Sequence, residues 1–166
     1  MDLNYSEIQE MLKDSVERFV RDNYAFEQRR QIVESGQGFS RQHWQTYAEL
    51  GWLGAALPED VGGLCGGGAE TMVVMEGLGR GLALEPMLGA VVLGGGLINA
   101  AGNEAQRRKY VPKMCTGEYV GALAMTEPGA GTDAIGSMRS RARLDGDHYI
   151  LNGGKIFISN GPIADV

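Results

Sequence analysis

The apolar pattern of this chain changes period near Gly117. Before it, apolar residues recur at three- and four-residue spacing; after Ser137 they alternate toward a spacing of two. A chain written this way folds as helices first and strands second, an α+β arrangement with an all-α N-terminal domain over 1–117 and a β region over 118–166. At 166 residues the chain is long enough to bury one sizeable core.

The helical part is punctuated by start and stop signals. Ser6 and Gln9 form a capping box, and Ile8, Met11, Leu12, Val16, Phe19 and Val20 share one face of the helix that follows. Ser40 opens a second helix through Leu50, which Gly51 closes with a left-handed cap. Leu57 to Gly63 is turn chemistry, and Ala69–Leu82 and Glu85–Ala101 read as two further helices. Asn103 and Gln106 cap a last one that ends near Gly117. In the β part, Val120–Met125 is a short apolar run. Arg139–Leu144 and Asp147–Leu151 flank Asp145-Gly146, a pair favoured in type I′ hairpin turns, and Lys155–Ser159 reads as a third strand. So few strands leave edges open and close no barrel, so an incomplete β-barrel-like domain is expected, which points to a truncated chain.

Charge and composition exclude several functions. A net charge of -6 opposes nucleic-acid binding, which needs a basic stripe to release counterions. Cys65 and Cys115 lie far apart without CxxC spacing, so neither a disulfide framework nor a metal site is expected. The acidic start, MDLNYSEIQEML, is unlike a signal or transit peptide, and Leu82–Ala101 is too interrupted by Glu85, Pro86 and glycines to span a membrane. A cytoplasmic protein is expected. His43 and His148 read as surface residues outside any nucleophilic triad, and both thiols as inert. Arg107-Arg108-Lys109 could attract phosphates but also suits a helix C-terminus, the preferred reading; Met72–Met75 reads as core.

Two segments are more specific: Ala122-Leu-Ala-Met-Thr-Glu-Pro-Gly-Ala-Gly-Thr-Asp133 and Gly154-Lys-Ile-Phe-Ile-Ser-Asn-Gly161. Together they resemble the flavin-contacting signatures of the acyl-CoA dehydrogenases, and Gly51–Glu59 and Lys113–Glu118 are similar to that family too. The resemblance implies bound FAD, an acyl-CoA thioester against it, an electron acceptor, and a homo- or hetero-oligomer. By position in the motifs, Leu123, Met125, Thr126, Gly131 and Thr132 would contact flavin, with the Thr126 hydroxyl near N1, Gly131 allowing close approach, and Thr132 also meeting substrate. Phe157, Ile158 and Ser159 would contact it from the second motif, with Phe157 where relatives place tryptophan and Ser159 where they place threonine. The family's catalytic carboxylate has no counterpart here and is expected beyond Val166, so no catalytic residue is assigned and the chain alone is expected to be inactive. Glu127 reads as a turn carboxylate taking backbone hydrogen bonds.

Two other readings remain. A short chain of this fold could be a non-catalytic, FAD-holding or structural subunit that partners a complete dehydrogenase. Gly129-Ala-Gly-Thr-Asp-Ala134 also matches a nicotinamide-dinucleotide fingerprint, but that needs a helix directly after the glycines, where a hairpin is expected.

Overall fold

A computed structural model describes residues 4–166; residues 1–3, part of the N-terminal stretch read for targeting signals, lie outside them. Helices α1 (Glu7–Asn23), α2 (Phe26–Glu34), α3 (Arg41–Glu49), α4 (Gly68–Arg80), α5 (Gly96–Ala101) and α6 (Glu104–Cys115) precede a hairpin of β1 (Arg141–Asp145) and β2 (His148–Asn152). Helices first, then a partial sheet, is the order that the change of period implies.

The caps explain where the helices begin. Ser6 Oγ accepts from Gln9 N at 3.2 Å while Gln9 Oε1 accepts from Ser6 N, and Asn103 and Gln106 make the same reciprocal pair at the start of α6. Gly51 has a φ of 77°, the left-handed stop expected after α3. Helix α2 has only half of this pair: Gln28 Oε1 accepts from Ala25 N at 3.0 Å, but Ala25 offers no side-chain cap in return, and none of the helix's residues is buried, so no apolar face announces it.

Helices α1 and α4 run parallel and touch through small residues. Gly77 sits against Val16 and Gly81 against Val20, so the backbones approach at two points one turn apart. Gln9 Nε2 donates to Glu70 at 2.8 Å at one end, and Arg80 meets Glu17 at 2.8 Å at the other. Behind this pair lies the core, in which Trp52, Tyr47, Leu53 and Val16 are fully buried. Phe19 packs edge-on against His43, Tyr47 and Trp52.

A buried carboxylate joins three helices' worth of chain. Glu85, its side chain fully enclosed, accepts from the hydroxyls of Tyr24 and Tyr47 and from Ser40 N, with His43 Nδ1 3.5 Å away. His43 is therefore a partly buried member of this network, not the surface residue expected from its place in the first turn of α3. Burial, then the neighbouring carboxylate, pushes both phenols well above the usual tyrosine range.

The expected helix over Glu85–Ala101 is instead a π-helical stretch, Leu88–Gly95, that passes into α5. Its glycines give little side-chain packing to hold the α register, and they let the wide turns lie close to the β region: Gly94 abuts Gly121, and Gly89 abuts the Asn160 amide. No helix among the described residues is long and apolar enough to cross a membrane.

In the β part, Asp145 pairs with His148, so the turn is Gly146-Asp147, one residue later than expected. Only Gly146 of that pair has positive φ, 64°, the pattern of a type II′ turn, where a single glycine at the first position suffices. Val120–Met125 forms no strand, although Asp165 N donates to Val120 O at 2.8 Å and Ala122 N to Val166 O at 2.9 Å. Lys155–Ser159 is not a strand either: Phe157 and Asn160, with φ of 55° and 66°, turn the chain out of any ladder.

Candidate functional site

The segments 122–133 and 154–161 are held side by side by a charged clamp. Lys155 Nζ donates to Glu127 Oε1 at 2.8 Å and to Met125 O at 3.0 Å, while Ile156 N donates to Thr126 O at 2.9 Å. Glu127 is also bonded to the backbone, accepting from Arg139 N at 2.6 Å and Ser140 N at 2.9 Å. It takes backbone hydrogen bonds, as expected of it, but from the start of the hairpin and not from its own turn. The Lys155 ammonium, then the Ser140 and Arg139 donors, hold its carboxyl down at about 2, so it is ionised at neutral pH. A carboxylate held by three donors and so strongly depressed is a structural anchor and a poor acceptor for a substrate proton.

The clamp brings Thr126 beside Ile156 and so sets Phe157 next to the first motif. Phe157 is 89% exposed, an aromatic ring with no cover on a left-handed backbone. Met125 is also exposed, and Leu123 and Ile158 are half-buried on the same pair of segments. The hydroxyls of Thr126, Thr132 and Ser159 have no hydrogen-bond partner among the described residues. Gly131 and Thr132 lie in an exposed loop farther along, where a Cβ on Gly131 would meet nothing within 4 Å. The loop is shaped by Asp133, whose carboxylate accepts from Gly136 N at 2.9 Å and whose carbonyl takes the Ser137 hydroxyl. No helix follows the glycines of residues 129–134, so a dinucleotide fingerprint has no helix N-terminus to work with.

The other candidate groups are occupied or inert. Arg107 pairs with Asp60 at 3.3 Å and Arg108 with Glu104 at 2.7 Å, while Lys109 lies over the Tyr110 ring, so that basic cluster is spoken for. Cys115 is buried, which pushes its thiol up and keeps it protonated. Cys65 is exposed in the glycine-rich loop, and His148 is exposed beside Asp147. Met72 is half-exposed whereas Val73 and Val74 are buried, so only part of that run serves the core. No group of acidic, cysteine or histidine side chains among the described residues could hold a metal ion. The Lys155–Glu127 clamp and the Glu85 network escaped sequence reading because their partners lie tens of residues away; Glu127 and Lys155 each stand in a motif, which was the available signal.

Residues 6–118 match the family model for the acyl-CoA dehydrogenase N-terminal domain, and residues 122–166 match that for the acyl-CoA dehydrogenase middle domain. The mitochondrial isovaleryl-CoA dehydrogenase of Bos taurus is 41% identical over 97% of this chain and 38% of its own length. The glutaryl-CoA dehydrogenase of Desulfococcus multivorans is 37% identical over 100% of this chain and 43% of its own. The crystal structure of an acyl-CoA dehydrogenase complexed with FAD from Bacillus anthracis superposes with a TM-score of 0.84 at 31% identity, over 98% of this chain and 28% of that one. The chain thus spans about two-fifths of the length of these curated relatives. Two consecutive domain matches that together take in both clamped segments, and a fold shared along nearly the whole chain, place this protein in the acyl-CoA dehydrogenase family.

Proposed function

We propose that this chain is the N-terminal part of an FAD-dependent acyl-CoA dehydrogenase and supplies one wall of its flavin and thioester site. The observation that carries the reading is the clamp: Lys155 and Ile156 lay the second segment on the first, with Thr126 bonded to Ile156, the uncovered Phe157 ring next in the chain, and the Thr126 and Ser159 hydroxyls unpaired among the described residues. FAD, when bound, supplies the ring that accepts hydride. Thr126 and Ser159 donate hydrogen bonds to its polar edge, Phe157 and Met125 give it apolar cover, and Gly131 leaves room for close approach. Thr132 offers its hydroxyl to cofactor or substrate. Anchoring these groups on an ion-paired backbone fixes them in place before any ligand arrives.

The same reading assigns the α-proton of the thioester to a carboxylate outside these residues, since Glu127 is held by three donors and no other acid among the described residues bonds to the clamp. An electron acceptor and an oligomeric assembly belong to the whole enzyme on this view.

Titration of the purified chain with FAD, followed by quenching of flavin fluorescence, tests the reading. Saturable binding that weakens in Thr126→Val and Phe157→Ala supports it. Oxidation of a saturated acyl-CoA by this chain alone, with an artificial electron acceptor, would show that the base lies within it and overturn the assignment.

A further inference from the structure

The Lys155 ammonium makes two bonds of different kinds. Its Nζ donates to Glu127 Oε1 at 2.8 Å and to Met125 O at 3.0 Å. The first is an ion pair between the two segments. The second ends on a carbonyl whose partner across the same peptide unit is the Thr126 N–H. Carbonyl and N–H of one peptide share a delocalised electron system, so a cation on the oxygen draws charge from the nitrogen and makes the N–H a stronger donor. Thr126 N–H has no acceptor among the described residues, and neither has the Thr126 hydroxyl. Thr126 thus offers a ligand two donors, one of them coupled to a charge.

Holding the segments together does not by itself need this second bond. Ile156 N already donates to Thr126 O at 2.9 Å, and Glu127 is tied to Arg139 N and Ser140 N without help from the lysine. No other cationic side chain among the described residues bonds to Glu127 or to Met125 O. The pair is also largely withdrawn from water, with side chains 22% exposed for Lys155 and 6% for Glu127, so their charges are less screened than those of a surface pair. What Thr126 feels is the balance of the two: the ammonium polarises its amide and the carboxylate offsets the ammonium.

We infer that Lys155 and Glu127 are positioning residues that set how strongly the site favours reduced over oxidised flavin, Lys155 through the Met125–Thr126 peptide and Glu127 by moderating the ammonium. The inference rests on the flavin reading of the site. Reduced flavin carries negative charge along its polar edge, so a stronger Thr126 N–H donor stabilises it more than it does the neutral oxidised ring. Removing the ammonium weakens that donor and lowers the reduction potential. Neutralising Glu127 leaves the ammonium uncompensated and raises it. A clamp that served only to hold the segments would shift the potential in one direction on loss of either partner, because either loss loosens the same contact.

Reduction potentials of bound FAD, measured against a reference dye in the FAD-loaded parent, Lys155→Met and Glu127→Gln, test this. The ratio of reduced- to oxidised-flavin affinity is expected to fall about two- to five-fold in Lys155→Met and to rise by a similar factor in Glu127→Gln. Circular dichroism checks that both variants are folded. Where Lys155→Met does not fold, the sign in Glu127→Gln decides: a rise supports the inference, and a fall or no change overturns it. Shifts of the same sign in the two variants, or no shift in either, overturn it and leave the flavin reading intact. A parent chain that takes up no FAD overturns this inference together with that reading.

Discussion

Lys155 Nζ lies 2.8 Å from Glu127 Oε1, and this contact is the hinge between the two segments of the candidate site. Glu127 carries the backbone of Arg139 and Ser140 as well, so one carboxylate ties together the first segment, the second segment and the start of the hairpin.

Acid should act on this anchor. Its folded-state carboxyl is held at about 2 by Lys155 and the two backbone donors, below the value of about 4.3 for an unpaired glutamate. A depressed carboxylate contributes stability that is full above the unfolded value and is lost as pH falls toward the folded one. Glu127→Gln is therefore expected to melt below the parent at neutral pH, with the gap closing between about pH 4 and pH 2. Thermal melts of both proteins across that range check it, and a gap independent of pH would mean that the charge of Glu127 is not what the fold uses.

The tyrosines bound to Glu85 make the complementary prediction at alkaline pH. Burial and the carboxylate raise both phenols, so the fold holds their protons more tightly than the unfolded chain does. That contribution is intact below about pH 10 and fades as pH rises above it, where only the unfolded chain ionises. Tyr47→Phe should lose roughly 1 to 3 kcal/mol at pH 7 by leaving Glu85 short of a donor, and should flatten the alkaline loss. Urea melts at neutral and alkaline pH measure both effects.

What could be read from the sequence was local, and what could not was either unmarked or long-range. The capping boxes at Ser6 and Asn103, the stop at Gly51 and the existence of the hairpin follow from residues within a few positions of one another. Helix α2 was missed because it buries nothing. Lys155–Ser159 alternates like a strand, but the left-handed Phe157 leaves it, among the described residues, a single backbone bond across to the first segment, Ile156 to Thr126. In the hairpin, moving the turn from Asp145-Gly146 to Gly146-Asp147 shifts every pairing, a distinction the dipeptide alone does not make. The motif residues were nameable from resemblance, whereas their support, Glu127 with Lys155, is a contact across 28 positions.

Gly77 is a packing test of the parallel α1–α4 pair. In an isolated helix Gly→Ala would gain about 1 kcal/mol of propensity. Here the added methyl would collide with Val16, a stiff, fully buried side chain, so overpacking wins. Gly77→Ala should cost roughly 1 to 3 kcal/mol, and Val16→Ala in the same chain should recover part of it. A double-mutant cycle from chemical denaturation reads the coupling; simple additivity of the two losses would contradict the contact.

Phe157 separates stability from binding. It is 89% exposed at a φ of 55°, where a residue with a Cβ is strained by roughly 1 to 2 kcal/mol. An exposed phenyl ring on such a backbone gives the isolated fold no packing in return for that strain, which is the pattern of a residue kept for a ligand. Phe157→Gly should therefore leave the melting temperature unchanged or raised, because glycine adopts this backbone freely, and should weaken flavin binding by removing the apolar cover. Phe157→Ala keeps the strain and loses the ring, so it should match glycine in binding while falling below it in stability. Melting curves and flavin fluorescence titrations on the same preparations give both quantities. A stability loss in Phe157→Gly would show that the ring packs within the protein, and unchanged flavin affinity in both variants would remove Phe157 from the site.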